Sequence, residues 1–314
     1  MQAEARTVAF FGPPGTFTEE ALLTQDDLAA GNLLDKAVIG DVLESVASGE
    51  SDFGIVPLEN AIEGTVNATI DGLVFDVELR IVREVVLDIH LHLMAPPGTS
   101  IDEVRTVVSF PHALPQCRGF LARVLPGAEL VAANSTADAA RQLAAHPVDG
   151  AAAIAPRLAA RLYGLEVLAE SIEDHSDNQT RFVVVAARGV PARTGHDRTS
   201  IVCFQDADRP GSLYGILGQF AARNINLTKL ESRPTKQGLG EYCFVIEMDG
   251  HVDDEIVADC LTELRISQGP VKFLGSYPVA GEAAQTSRDE VSARREDAQR
   301  WIEGIRDDRL DAGA

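Results

Sequence analysis

The side chains best equipped for chemistry stand where apolar strands begin or end. Asn178-Gln179-Thr180-Arg181 runs without a break into the apolar residues 182–187. Such a run, rich in β-branched residues, predicts a strand covered on both faces. Polar groups at its mouth are costly unless something pairs with them, either their own protein or a ligand. The arrangement recurs: Glu59, Asn60, Thr65 and Asn67 stand at the end of FGIVPLEN and just beyond it, and Ser109 closes RTVVSF. Open α/β sheets take small ligands at strand ends and at the helix starts that follow, so these clusters line a candidate crevice. Taken singly, each is also what capping and turn chemistry produces. The stretch FGPPGTFTEEAL invites comparison with a phosphate-binding loop, but Phe17 and Thr18 stand where that motif requires Gly and Lys. A Gly-rich turn and a helix N-terminus able to hold a carboxylate remain.

The elements that must position these groups alternate in type. TVAFF, KAVIG and FGIVPLEN read as strands, with helices starting at Thr16-Phe17-Thr18-Glu19, a capping-box spacing, and at VLESVASGE. Strand–helix alternation predicts a parallel α/β sheet. Residues 79–95 read as extended strands. A second α/β set follows: RTVVSF, the helix HALPQCRGFLARVL, a helix opened by Ser135 and Asp138, AAAIAP, and a short helix RLAARLYG. The fold class expected is therefore α/β with two lobes around a ligand crevice, as in binding proteins, the closing strand rejoining the first lobe. The predicted boundaries are residues 1–78 plus 180–190 for the first lobe and 79–179 for the second. A Gly- and Pro-containing linker spans 191–198. Residues 199–280 then read as βαββαβ, the ferredoxin-like order, and 281–314 as a charged tail.

The chain has 314 residues, 45% of them hydrophobic, enough for two domains with true cores. A net charge of −21 argues against nucleic acid or anionic membrane as a partner. An anionic ligand must be drawn in by a few local donors. No apolar run reaches the ~18 residues that span a bilayer, and the N-terminus carries no signal-peptide pattern, so a cytoplasmic location is expected. Cys117, Cys203, Cys243 and Cys260 lack redox or zinc spacing and read as reduced small hydrophobes. His90 and His92 alternate along a strand; core or surface histidines are the plainer reading than a metal pair.

GPPGTFTEEAL, GIVPLENAIEGTVNATIDGL, SFPHALPQC, NSTADAAR and NQTRFVVV together resemble the prephenate dehydratase family over residues 6–280. The last part resembles an ACT domain: GSLYGIL, with Ser212 and Tyr214 in place of the family's Ala and Val, and ESRP at Glu231 to Pro234. The resemblance implies that prephenate loses CO2 and its ring hydroxyl to give phenylpyruvate, with no cofactor and no metal. It implies catalytic roles for Thr180, Arg181, Asn60, Ser109 and Gln116, Thr180 protonating or hydrogen-bonding the departing hydroxide and Arg181 gripping a carboxylate. Thr16, Thr136 and Phe182 are expected to bind substrate. Glu59 and Glu63 are disfavoured as acids, because a carboxylate beside a dianion is repelled, and Glu59 is read as structural. Phe110 occupies the family's histidine position in Ser-His-Pro, with His112 displaced along the chain.

For the ACT unit the resemblance implies L-phenylalanine or another aromatic amino acid as an inhibiting effector. Its candidate site is Gly211, Ser212, Leu213, Tyr214, Asn226, Leu227, Glu231, Ser232, Arg233 and Pro234, served by a Pro-Gly turn from Asp208 onward. Asn224 reads as a helix C-cap. Side-by-side pairing of such domains implies a homo-dimer or homo-tetramer. Two rivals stand beside this reading: a non-catalytic amino-acid sensor on a two-lobed clamp, and a fused enzyme carrying a second activity, for which no long helical extension is present.

Overall fold

The protein is described from a computed structural model, covering residues 6–205, 210–236, 238, 241–280, 297, 298 and 300–305. The chain divides into two compact units. One holds the chain up to Leu79 together with Val85–Arg188; the other holds Arg80–Glu84 and the chain from Gly189 onward.

The first unit contains two sheets. Its first half runs β1 (Thr7–Phe11), α1 (Phe17–Leu23), α2 (Asp26–Ala29), β2 (Asn32–Lys36), α3 (Ile39–Ala47), β3 (Phe53–Asn60), β4 (Gly64–Thr65), α4 (Asn67–Asp71) and the latter part of β5 (Arg80–Asp88), from Val85 onward. Its second half runs β6 (His92–Ala95), β7 (Thr106–Ser109), α5 (Ala113–Gln116), α6 (Arg118–Val124), β8 (Glu129–Ala132), α7 (Thr136–Ala145), β9 (Ala151–Ala155), α8 (Arg157–Tyr163), β10 (Glu166–Ala169) and β11 (Gln179–Ala186). The first sheet has the order β2-β1-β3-β11-β5, with β4 added on β3; the second has β10-β6-β9-β7-β8. β1 pairs with β2 and β3 in parallel, as strand–helix alternation requires, whereas β11 returns antiparallel to β3. The two central strands carry the apolar runs because both faces are covered: Ile55 and Val56 of β3 and Val183, Val184 and Val185 of β11 are buried.

β5 belongs to the first sheet, beside β11, although residues from 79 onward were expected in the second lobe. The stretch 79–95 contains no Gly or Pro before Pro96 to mark the change of sheet, so its two strands read as one extended segment. The break falls between β5 and β6, where one chain crossing lies against the other, the segment between β10 and β11. Ile89 N–H donates to the Asn178 carbonyl at 2.8 Å and Ile172 N–H to the Leu91 carbonyl at 2.8 Å. The Glu173 carboxylate, buried, accepts from Leu91 N–H at 2.8 Å and meets His90 Nδ1 at 2.9 Å. His92 is buried and accepts from Ser171 N–H through Nδ1 at 3.1 Å. Burial, and then the charge of Arg157, push its pKa down, so it is a neutral acceptor rather than half of a metal pair.

The second unit carries β12 (Asp197–Phe204), α9 (Ser212–Ala222), β13 (Leu227–Pro234), β14 (Tyr242–Asp249), α10 (Glu255–Ser267) and β15 (Val271–Pro278), the βαββαβ order, in an antiparallel sheet β13-β14-β12-β15. β12 starts at Asp197, inside the stretch read as a linker. Ile216 and Phe220 of α9 and Val257, Cys260 and Leu264 of α10 pack on Ile201, Cys203, Ile246 and Met248 of the sheet. Asn224 takes a left-handed conformation (φ 54°) just after α9, the geometry of the C-cap reading. Asp208 and residues 237, 239 and 240 of the β13–β14 turn lie outside the described residues, as does most of the expected tail after 280; Trp301, in the described part of that tail, is exposed.

All four cysteines are buried thiols, none of them in a disulfide. Burial pushes the thiols of Cys117 and Cys203 up to about 12 and that of Cys260 to about 11. A thiol held in the neutral form and away from solvent is unreactive. The folded protein should therefore react with Ellman's reagent at none of its four cysteines at pH 8, and at all four once unfolded in urea; rapid labelling of the native chain would contradict the packing described.

Candidate active site

The two sheets of the first unit flank a cleft of about 530 Å³. Into it the fold brings Asn60 from the end of β3, Thr180 and Phe182 from β11, Gln116 from α5, Thr16 from the cap of α1 and Thr136 from the first turn of α7. Asn178, Asn134, Ser135, Thr18, Glu63 and His112 join them, over apolar walls that include Phe11, Phe17, Ile89, Leu91 and Phe182.

Local backbone geometry explains why these side chains meet. Thr180 and Phe182 are two apart on a strand and share a face. On β3 the facing residues are Pro57 and Asn60, three apart, which a regular strand cannot place on one side. The pairing supplies the reason: Phe182 sits opposite Pro57 and Arg181 opposite Glu59, leaving Leu58 without a partner in the register. One extra residue on one strand is a bulge, and it turns Asn60 back toward the cleft.

Asn60 orders the polar network. Its Oδ1 accepts from Ile62 N–H and Glu63 N–H, both at 2.9 Å. Because backbone N–H groups only donate, the amide orientation is settled, and Nδ2 must donate. It does so to Asn178 Oδ1 at 2.9 Å and to Thr180 Oγ1 at 2.9 Å. The direction then propagates. Asn178 Nδ2 donates to Gln116 Oε1 at 3.1 Å, and Gln116 Nε2 to Glu63 Oε1 at 3.3 Å. The other Glu63 oxygen meets His112 Nδ1 at 3.0 Å, and His112 stacks on Phe110 with centroids 5.2 Å apart. Thr180 therefore receives a hydrogen bond on its oxygen, which leaves its own proton available to a partner in the cleft. The chain of amides also ties the β3 and β11 ends to α5 on the facing sheet.

Two expected residues are placed otherwise. Arg181 does not line the cleft. As the neighbour of Thr180 on a strand it projects to the opposite face, where Nη2 donates to Glu59 Oε2 at 2.9 Å. Glu59 is thus structural, as expected, but the guanidinium expected to grip a carboxylate is committed to it. Ser109 is fully buried, and its hydroxyl donates to the Ile154 carbonyl at 2.7 Å, a tie between β7 and β9 rather than a wall of the cleft. Asn178 lines the cleft, as its place at the mouth of the strand suggested, whereas Glu63 and His112, which were set aside, line it too. The contact of those two across the cleft has no sequence signal.

Among the described residues lining the cleft there is no Lys or Arg. Its anion-binding capacity rests on amides, hydroxyls and the first turn of α7. In that turn Asn134, Ser135 and Thr136 face the cleft, and Ser135 caps the helix by accepting from Asp138 N–H at 2.9 Å. Thr16 caps α1 in the same way and donates its hydroxyl to the Phe11 carbonyl at 3.0 Å. Among the described residues no group of three His, Cys, Asp or Glu side chains is placed to hold a metal ion.

In the second unit a pocket of about 520 Å³ gathers Gly211, Ser212, Leu213, Tyr214 and Ser232, with Leu217, Tyr242 and Phe244. Asn226, Leu227, Glu231, Arg233 and Pro234 do not line it. Asn226 Nδ2 donates to Asp249 Oδ2 at 2.8 Å, and Arg233 Nη1 donates to Glu231 Oε1 at 2.8 Å. Side chains alternate along β13, so Glu231 and Arg233 share the face opposite to Ser232.

Comparison with known proteins bears on the family of the chain. A family model described as prephenate dehydratase matches residues 8–190, and one described as ACT domain matches residues 199–265. The prephenate dehydratase of Mycobacterium tuberculosis (strain H37Rv) is 41% identical over 310 residues, covering 95% of this chain and 94% of that one. Among solved structures, prephenate dehydratase from Arthrobacter aurescens in complex with L-Phe is 40% identical, with a TM-score of 0.82, covering 95% of this chain and 99% of that one. GqqA, described as a quorum quenching acylase, is 28% identical with a TM-score of 0.80, covering 88% of this chain and 98% of its own.

The amide network carries its own test. Asn60→Leu removes both acceptor and donor bonds and should lower stability by about 1–3 kcal/mol. Asn60→Asp keeps the bonds from Ile62 and Glu63 and should lower it less. Urea midpoints of the two variants read the order; a reversed order would mean that the amide is not oriented as described.

Proposed function

The chain belongs to the prephenate dehydratase family, and we propose that its cleft converts prephenate to phenylpyruvate, CO2 and water through Thr180, while L-phenylalanine binds the ACT unit and inhibits. The observation that carries this reading is the Thr180 hydroxyl, which lines the cleft with its oxygen held by Asn60 Nδ2. The match at 41% identity over nearly the whole chain weighs more than the acylase described for a 28% identical neighbour.

In the proposed reaction the bond from ring to carboxylate breaks, its electron pair flows across the ring, and the hydroxyl on the far carbon leaves with the electrons of the C–O bond. Aromaticity supplies the driving force. Hydroxide is a poor leaving group, so the step needs a donor at the departing oxygen, and Thr180 provides it. Asn60 steadies the Thr180 oxygen as its proton is drawn away, and a solvent proton restores the hydroxyl, so the net reaction takes up one proton. A positioned donor of this kind contributes about 10²–10⁴ in rate. The rest comes from fixing the ring between apolar walls and from dipoles oriented before substrate arrives. The substrate's carboxylates are received by the first turn of α7 and by Thr16 and Thr18, with Gln116 and Asn178 at the cleft's centre. Arg181 serves indirectly, by clamping Glu59 and hence the β3 bulge that aims Asn60.

In the ACT unit the pocket of Gly211, Ser212, Leu213, Tyr214 and Ser232 receives the effector's carboxylate and side chain. Ser212 and Tyr214 make it more polar than the family's Ala and Val. The reading includes a homo-oligomer assembled through this unit and a cytoplasmic location; among the described residues no helix is long and apolar enough to cross a membrane.

Incubation of the protein with prephenate, followed by phenylpyruvate absorbance in alkali, tests the reaction directly. Thr180→Ala should lose at least about 10²-fold in kcat with substrate binding retained. Asn60→Asp should approach it, because an aspartate accepts the Thr180 proton and turns it out of the cleft. Unchanged turnover in Thr180→Ala would remove Thr180 from the mechanism and revive the sensor reading.

A second test addresses control. Ser232→Phe fills the ACT pocket from an exposed strand position. It should abolish inhibition by L-phenylalanine while leaving turnover in its absence within about 2-fold, since the pocket lies outside the unit that holds the cleft. Retained inhibition would exclude this pocket as the effector site.

A further inference from the structure

Tyr163 is the last residue of α8, on the second sheet's side of the first unit. Its ring packs against the cluster of Ala155, Ala159, Ala160 and Met94. Its hydroxyl crosses to the other side of the cleft and donates to the Pro14 carbonyl at 2.6 Å. Pro14 lies in the β1–α1 turn, two positions before Thr16, which caps α1 and lines the cleft with Phe17 and Thr18.

The turn is shaped to be held there. Gly15 has φ +90°, and a Cβ on it would come within 3.1 Å of the Ala159 backbone and 3.3 Å of the Tyr163 ring. Only glycine against alanine permits so close an approach. Gly15 N–H donates to Glu19 Oε2 at 2.5 Å and Thr16 to the Phe11 carbonyl, so the turn is internally stiff and moves with α1 as one piece. One helical turn further, burial pushes the Glu20 pKa up, and the charges of His90 and then of Arg161 and Arg157 of α8 partly offset that push. The contact between α1 and α8 is therefore built from a short hydrogen bond, a glycine-permitted close approach and an attraction of opposite charges. The mechanism above uses none of them.

We infer that Tyr163 is a positioning residue of the dehydratase, a latch whose hydroxyl holds the β1–α1 turn of one lobe against α8 of the other and so sets how tightly Thr16, Phe17 and Thr18 close over the substrate. The inference rests on the reading of the cleft as the prephenate site. Tyr163 touches neither substrate nor the reacting atoms; it acts through Pro14. Removing the hydroxyl leaves Thr180 and Asn60 as they were and weakens only the closed state. Its cost falls on binding, in the ground state and the transition state alike.

The test is Tyr163→Phe in the full-length chain, with initial rates measured against prephenate and inhibition by the product phenylpyruvate measured alongside. KM should rise about 5-fold, the equivalent of about 1 kcal/mol, one neutral hydrogen bond. The inhibition constant for phenylpyruvate should rise by the same factor, with kcat within about 2-fold and the thermal midpoint within about 2 °C of the parent. An unchanged KM sinks the latch, as does a lowered thermal midpoint with unaltered kinetics, which would make the bond merely structural. A fall in kcat at constant KM would also overturn it, by placing Tyr163 in the chemical step. Turnover of the parent protein, measured in the same series, tests the reading of the cleft separately from the ratio that tests the latch.

Discussion

The working part of this protein depends on the orientation of a single side-chain amide. Asn60 has no freedom to flip, because two backbone N–H groups point at its oxygen. From that one constraint the donor and acceptor roles of Asn178, Gln116 and Thr180 follow in sequence, and Glu63 is left as the acceptor at the far end. A threonine hydroxyl is a weak acid and an indifferent donor when free to rotate. Held by a donor on its oxygen at the wall of the cleft, it keeps its own proton available to a partner there. In the proposed reaction its asset is preorganisation rather than acidity.

Electrostatics sharpen the same point. A chain with a net charge of −21 that must admit a dianion would be expected to carry cations in its binding cleft. This cleft has none among its described lining residues, and its candidate guanidinium, Arg181, is spent on Glu59. Attraction is left to oriented dipoles: the start of α7, capped threonines and amides. Dipoles of this kind act at short range and in a dry site, where they are least screened. They also bring no counter-charge to neutralise the electron flow across the ring.

Much of this was legible in the residues. The apolar runs of β3 and β11, their polar mouths and the caps at Thr16 and Ser135 all follow from periodicity and capping chemistry. The family resemblance added the roles of Thr180, Asn60 and Gln116, which the cleft brings together. Arg181 shows a signal that was present and overruled: a strand's period of two already turns the neighbour of Thr180 the other way. Ser109 shows a signal too weak to read, since a serine at a strand end looks the same whether its hydroxyl faces a ligand or a carbonyl 45 residues on. The bulge at Leu58 and the meeting of Glu63 with His112 are tertiary outcomes. They depend on strand register and on two sheets facing each other, and neither leaves a local trace. The move of β5 to the first sheet belongs with them, because nothing in residues 79–95 punctuates the crossing.

The place of β11 has a consequence for how the chain is made. It is inserted between β3 and β5, at the heart of the first sheet, yet it is the last strand of its unit in chain order. While a ribosome is still building the second sheet, β3 waits with a bare edge eight residues long, apolar up to Leu58. That edge is a template for unwanted pairing until residue 186 has emerged and folded back over more than a hundred residues of intervening chain. Birth order and spatial order run against each other here, so the first lobe stays incomplete until the second is already in place.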